Sequence, residues 1–320
     1  MKHRVLLGAT MAVAILAAGC ARLAIWSAPE KQPAAERSAA ARQADELFWQ
    51  TFHEGDYNKA PIALAALQAA YLDTPNDAVT AAHIGWIHVW QLAERARLDP
   101  VPPGITDEAV LSRRYFEEAV RLDPTDARYL GFYASMLLAE GDIHKDAKLT
   151  RRGYYTMLDA VAAFPEFNDF TAGYVLSSRP YDSERFKEAV EFQWQNLDAC
   201  VGERVDRQHP DYARYLRLET REGPKRVCWN SWIAPHNFEG FFLNFGDMLV
   251  KAGEPDAAVR MYANAKLAPD YATWKYRDVL EERLRNAALN IEPFRRDKPA
   301  SGEPRIMGQS RVACVACHQN

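Results

Sequence analysis

The feature that most constrains the fold is a spacing of small and bulky residues that recurs in front of four prolines. A small residue stands twelve positions before each proline, and a bulky apolar residue stands eight before it. A third residue stands five before it, and this residue is small in three of the four cases. The sets are Ala63, Leu67 and Ala70 before Pro75; Ser112, Phe116 and Ala119 before Pro124; Gly153, Met157 and Ala160 before Pro165; and Ala257, Met261 and Asn264 before Pro269. Because offsets of four and seven residues share one helical face, the pattern predicts helices that pack through this face.

The rest of the chain also favours helices, and strand patterns are nearly absent. Gly55, Gly141 and Gly253 are expected to end three helices, since glycine readily adopts the left-handed conformation found at helix ends. We therefore predict an all-α fold. Helices are expected over 36–54, 59–73, 77–96, 107–122, 126–140, 146–163, 167–177, 182–199, 237–251, 254–267 and 272–289.

The stretch from Phe116 to Pro124 resembles the end of the second helix of a tetratricopeptide repeat (TPR), a family with a period of about 34 residues. Here the prolines are farther apart: Pro75 and Pro124 are separated by 49 positions, and Pro124 and Pro165 by 41. The resemblance implies a TPR-like array of helical hairpins with enlarged loops over residues 41–290. An irregular all-helical domain is the alternative.

Residues 200–235 interrupt the helical pattern and lead into an aromatic-rich stretch from Trp229 to Phe245. This stretch either packs as core beneath a long loop or forms the wall of a site for a flat apolar ligand. Cys200 and Cys228 bracket the interruption. In an exported protein we expect them to form a disulfide, with two buried free thiols as the alternative.

The last residues of the chain contain Cys314, Cys317 and His318 in a C-x-x-C-H spacing. The segment resembles the haem-attachment segment of c-type cytochromes. The resemblance implies one covalent haem c, held by thioethers from both cysteines, with His318 as the proximal iron ligand. A dithiol or disulfide, a metal site with further ligands, and the vestige of a lost domain are the alternatives.

Only Gln319 and Asn320 follow the motif, so we do not expect this chain to build a class I cytochrome fold around its haem. Residues 291–320 are predicted to form an irregular, extended tail. The haem is then expected to dock either on the aromatic stretch of its own chain or in a second molecule. The sixth iron ligand is expected to be His236, Met307 or a residue of another chain, unless that position is open.

Residues 1–19 are predicted to form an N-terminal export signal. The segment has a basic start at Lys2, and its apolar run is too short to span a membrane comfortably. Leu16 to Cys20 resembles a bacterial lipobox. The resemblance implies a lipid-modified Cys20, a flexible tether over 20–40, and an outer-membrane-anchored lipoprotein in a Gram-negative bacterium, facing the periplasm or the cell surface. A cleaved, soluble periplasmic protein is the alternative.

Hydrophobic residues make up 48% of the chain and charged residues 26%, with a formal net charge of -4. This composition is typical of a globular protein, and no basic stripe indicates nucleic-acid binding. No hydrolase, kinase or dinucleotide signature is present, so we do not expect an enzyme.

Two functions remain. The first is electron transfer by a membrane-tethered c-type haem protein on a TPR-like scaffold, with a redox partner or with a second copy of itself. The second is a non-redox assembly lipoprotein whose terminal cysteines act as a dithiol or metal staple.

Overall fold

The structure is a computed structural model that describes residues 22–297, 300 and 302–320. The predicted export signal and the lipid-bearing Cys20 lie outside the described residues. Residues up to Pro33 form one unit, in which residues 22–26 are helical, and Ala34–Asn320 form a second. The described residues contain helices and no strand, so the predicted all-α class is confirmed.

The helices of the second unit follow the prediction closely. The final predicted segment, 272–289, shortens to Arg277–Asn286, and two further short helices form in the tail. The helices are α1 (Ala39–Glu54), α2 (Ala60–Asp73), α3 (Ala78–Ala93), α4 (Asp107–Leu122), α5 (Ala127–His144), α6 (Ala147–Ala163), α7 (Pro165–Leu176), α8 (Glu184–Val201), α9 (Asn237–Ala252), α10 (Pro255–Asn264), α11 (Arg277–Asn286), α12 (Ile291–Arg295) and α13 (Val315–His318).

Side chains fix where several helices begin. Asp77, Asp126 and Asp146 each accept backbone N–H groups from the first turn of α3, α5 and α6, which otherwise lack partners within the helix. Gly55 and Gly253 end α1 and α9 with positive φ angles of 64° and 95°, as predicted.

The prediction for Gly141 is wrong, because α5 continues past it to His144. Lys145, with φ 57°, ends the helix instead, and its N–H bonds to the carbonyl of Gly141. Gly141 has a different role: a Cβ atom there would lie 2.7 Å from the backbone nitrogen of Thr150 in α6. The glycine lets two helices approach closely.

Successive helices pack against one another through the face that the sequence pattern marks. Leu67, Phe116, Met157 and Met261 are all fully or almost fully buried. The ring of Phe116 fills the space left by Gly85 on α3, where a Cβ atom would meet the ring at 2.8 Å. In α10 the fully buried small residue is Ala258 rather than the predicted Ala257.

The insertion at 200–235 is tied to α8 by a Cys200–Cys228 disulfide, so that prediction is confirmed. Trp229 and Phe238 are buried, as expected for core beneath a loop, whereas Trp232 is 66% exposed. Among the described residues, no helix combines the length and the apolar character needed to cross a bilayer.

The tail packs into the fold and does not extend away from it. Ile306, Met307 and Cys317 belong to the largest apolar cluster, and Val315 belongs to the cluster formed by α1, α2 and α3. Polar groups fix its path, since the N–H of Met307 donates to Asp247 Oδ2 at 2.7 Å. The low apolar content of the tail predicted an extended segment. A few apolar side chains are nevertheless enough to dock the tail, because the helices already provide an apolar core in which they are buried.

Removing the disulfide is expected to destabilise the protein. Its two cysteines are 28 positions apart, and closing a loop of this size should contribute about 3–4 kcal/mol to the free energy of unfolding. Urea denaturation of the Cys200→Ser, Cys228→Ser double variant should show this loss under oxidising conditions. Added reductant should then destabilise the wild type alone, and an equal effect on both proteins would contradict the assignment.

A second prediction about stability concerns the buried carboxyl group of Asp169. Its side chain is 3% exposed, and no described residue donates a hydrogen bond to Oδ1. Burial, with smaller contributions from Glu166 and Asp198, raises the pKa of Asp169 from 3.8 to about 7. The folded state therefore holds this proton more tightly than the unfolded state, and stability should fall between about pH 4 and 7 by up to roughly 1.4 kcal/mol per pH unit.

The Asp169→Asn variant should lose the fall in stability between pH 4 and 7. At pH 8 it should be more stable than the wild type. The measurement is the free energy of unfolding in urea across pH 4 to 8. Parallel curves for the two proteins would show that Asp169 does not titrate in this range.

Candidate functional site

Glu94, the residue after α3, holds the start of the C-x-x-C-H motif. Its Oε1 accepts the N–H groups of Cys314 and Val315, both at 2.9 Å. Its Oε2 accepts from Trp90 Nε1 at 2.9 Å and from Arg97 Nε at 2.7 Å. The carboxyl group is fully buried. Burial raises the pKa of Glu94, while Arg97 and the N–H donors oppose that shift.

The remainder of the motif is held by residues at the start of α9 and by Trp274, which follows α10. The carbonyl of Cys317 accepts the N–H of His236 at 3.0 Å, and the carbonyl of Ala316 accepts from Trp274 Nε1 at 3.0 Å. Gly240 on α9 makes room for the thiol, because a Cβ atom there would lie 2.2 Å from Cys317 Sγ. The one-turn helix α13 is therefore fixed by groups from distant parts of the chain.

The ring of His318 is oriented by one hydrogen bond and one stacking contact. Nδ1 lies 2.8 Å from the carbonyl oxygen of Ile233, and the ring stacks on Phe52 at 4.6 Å between centroids. A carbonyl oxygen only accepts, so Nδ1 carries the proton and Nε2 keeps a free lone pair. Burial lowers the pKa of His318 to about 4, so the ring is neutral at pH 7. A metal-ligating histidine takes this form.

Cys314 and Cys317 are free thiols in this structure. Burial raises the pKa of Cys317 to about 12, and burial together with the nearby Glu94 raises the pKa of Cys314 well above its ordinary value. Both are therefore protonated at neutral pH. The described residues contain no group of three or more His, Cys, Asp or Glu side chains placed to hold a metal ion.

The two thiols and His318 line the same cavity, which has a volume of about 1400 Å³. Ordinary small-molecule sites occupy roughly 300–1,000 Å³, so a ligand as large as haem has room. Its walls come from α1, α3, α5, α7, α9 and the insertion at 200–235. They are largely apolar and include twelve aromatic side chains: Phe48, Trp49, Phe52, Trp86, Phe132, Phe167, Phe170, Tyr174, Trp229, Trp232, Phe238 and Phe241.

Cationic groups also lie in the cavity wall. Arg95, Arg128 and Arg226 line it. Arg95 donates to the carbonyl of Leu92 at 2.8 Å, and Arg128 is paired with Asp126. Two thiols, a neutral imidazole with a free Nε2, aromatic walls and guanidinium groups together fit a haem with its two carboxylates.

The two residues predicted as sixth iron ligands do not line the cavity. His236 Nδ1 bonds to Glu239 Oε1 at 2.9 Å, and its N–H supports the motif backbone. Met307, a residue of the tail, is buried in the largest apolar cluster. Both help to hold the tail in this structure, and no sixth ligand is assigned.

Sequence reasoning missed three groups that build the site. Glu94, Ile233 and His83 all contact the motif or line its cavity. None has a local signature, because each acts on residues far away in the sequence. Only the aromatic stretch from Trp229 to Phe245 was identified beforehand as a candidate wall, and it contributes residues to the cavity.

Comparisons with family models, with curated proteins and with solved structures found no match to this chain.

In the haem-free folded protein, alkylation of the motif cysteines should be slow. Because the thiolate is the reactive form and burial raises the pKa of Cys317 to about 12, its reaction with iodoacetamide at pH 8 should be roughly a thousandfold slower than in urea-unfolded protein. Mass spectrometry of tryptic peptides measures both rates.

Glu94→Gln keeps the size of the side chain but loses the charge that holds the motif. This variant should speed alkylation of Cys314 more than that of Cys317. Alkylation as fast in folded as in unfolded wild-type protein would contradict the docked position of the tail.

Proposed function

We propose that this chain is a c-type haem protein built on a TPR-like helical scaffold, with one covalent haem in the cavity described above. The observation that carries the proposal is the convergence of Cys314, Cys317 and His318 on one large aromatic cavity, with His318 Nε2 left free. We propose electron transfer as the function, with a redox partner protein or with a second copy of the chain.

In this proposal the haem supplies a one-electron redox change, and the protein holds and orients it. Cys314 and Cys317 would hold the haem through thioethers, formed by addition of each S–H across one vinyl C=C, so that sulfur bonds to one carbon and hydrogen to the other and no external oxidant is needed. His318 Nε2 would bind the iron. The Ile233 carbonyl holds Nδ1–H and raises the basicity of the ring, and Phe52 fixes the ring plane.

The hairpin packing supports a TPR-like arrangement for the scaffold. Gly85 receives the ring of Phe116, and Gly246 receives the ring of Tyr262, where a Cβ atom would meet the ring at 2.2 Å. In both cases a small residue of one helix accommodates a bulky residue of the next. Repeat arrays use such stacking to form concave surfaces that bind extended segments, and here the chain's own tail would take that place.

Location in the cell is part of the proposal. The Cys200–Cys228 disulfide is typical of exported proteins, which supports the export signal and lipid-modified Cys20 predicted from the sequence. We propose attachment to the outer membrane of a Gram-negative bacterium through the lipid, with the haem domain facing the periplasm or the cell surface.

The test is expression in an export-competent strain that carries haem-attachment machinery. The wild type should gain the mass of one haem and keep a Soret band after denaturation, because thioethers survive unfolding. The Cys314→Ser, Cys317→Ser double variant should lose both signals. The Cys200→Ser, Cys228→Ser double variant is the matched control and should keep both. An unmodified wild-type tail would favour the non-redox staple function instead.

A further inference from the structure

Two of the described histidines, His83 and His318, line the cavity. Its Nδ1 is hydrogen-bonded to Asp45 Oδ1. Asp45 is in turn paired with Arg37, which also donates to Asp77 Oδ2 at 2.8 Å. Asp77 is fixed at the start of α3, where it accepts the N–H of Val79 at 3.0 Å. The imidazole is therefore held by a continuous chain of polar contacts, as histidines that bind ligands commonly are.

These polar contacts use Nδ1 of His83 and leave Nε2 available for a ligand. Because a carboxylate oxygen only accepts, Nδ1 carries the proton, and Nε2 keeps a lone pair that can accept a hydrogen bond. No described residue bonds to Nε2 in this structure, and the ring lies in the cavity wall. A hydroxyl group suits this position, because it can donate to the lone pair of Nε2.

The surroundings of His83 are aromatic. Phe48 stacks on the imidazole with centroids 4.4 Å apart, and Trp49 and Trp86 lie at 5.5 Å from it. Trp86 also meets Phe132 edge-on at 5.5 Å. All four rings line the cavity. A flat aromatic ligand would gain stacked and edge-to-face contacts here, whereas the negative charge of Asp45 is already engaged by Arg37 and His83.

We infer that the cavity has a second ligand site at His83, which binds small hydroxylated aromatic molecules of the phenol or hydroquinone class. The ligand's hydroxyl group bonds to His83 Nε2, and its ring lies among Trp49, Trp86 and Phe132. A purely apolar ligand fits the walls but leaves Nε2 without a partner, which weakens its binding.

The site is separate from the haem-attachment motif. Between His83 and His318 lie the rings of Phe48 and Phe52, with successive centroid distances of 4.4, 5.7 and 4.6 Å. The two imidazoles therefore stand at opposite ends of a stack of rings along α1. Phenols and hydroquinones are reduced species, so a ligand of this class at His83 would be a small-molecule electron donor beside the haem. That redox role rests on the proposed function, but the binding itself does not.

The test uses the full chain without haem and two probes of similar size, phenol and toluene, in which a methyl group replaces the hydroxyl group. Calorimetric titration should show that phenol binds more tightly than toluene. His83→Phe keeps a ring to stack on Phe48 and removes the nitrogen. It should weaken phenol binding by about three- to tenfold and leave toluene binding unchanged.

His88→Phe is the matched control. His88 lies on the same helix and pairs with Glu108 through Nδ1 in the same way, but it does not line the cavity. This variant should bind both probes like the wild type. Equal binding of phenol and toluene by the wild type, or equal losses in the two variants, would overturn the inference.

The haem-loaded chain separates this inference from the proposed function. Loaded protein should still bind phenol, and His83→Phe should leave its visible spectrum unchanged. If loading abolishes phenol binding, the haem itself fills the space at His83. If the variant loses a low-spin spectrum, His83 is an iron ligand. Either result would overturn the second site. Failure to attach haem would count against the proposed function alone, since phenol binding is measured without it.

Discussion

The buried carboxylate of Glu94 is the interaction on which the rest of the site depends. It joins the end of α3 to the first turn of the motif through four donors, two from the motif backbone and two from Trp90 and Arg97. An ionised carboxylate buried without such partners would be strongly unfavourable. The burial of Glu94 at the end of α3 therefore depends on the N–H groups of the tail, and the position of the tail depends on Glu94. Glu94 therefore fixes where Cys314 enters the cavity, while His236 and Trp274 hold the backbone around Cys317.

A second buried carboxylate, Asp247, does the same for the tail before the motif. It accepts from Tyr262 Oη at 2.6 Å, Arg283 Nε at 3.1 Å and the N–H of Met307. Arg283 also donates to the carbonyl of Arg305 at 2.9 Å, so the tail backbone is bonded to both members of the ion pair. With two such anchors, a segment with few apolar residues becomes part of the core. The tail closes the cavity as it does so.

The same burial sets the chemical state of the site. The thiols are protonated, and His318 is neutral with its proton on Nδ1. A largely apolar cavity lowers the local dielectric, which strengthens each polar contact that remains. His83 and His318 thus present one nitrogen each to a largely apolar space. This arrangement suits a large planar group and a smaller aromatic ligand beside it.

Local patterns in the sequence determined the all-α class, the buried helix face marked by Leu67 and Phe116, and the pair of cysteines that form the disulfide. These features follow from helical periodicity and from residue types that can be read within a short window. The tertiary structure alone decided the position of the tail, the acceptor for His318 and the pairing of His83 with Asp45. Ile233 is 85 positions from His318, and Glu94 is 221 from Val315. A carbonyl oxygen or a single glutamate carries no signature of a partner so far away, because only the packed helices bring the two together.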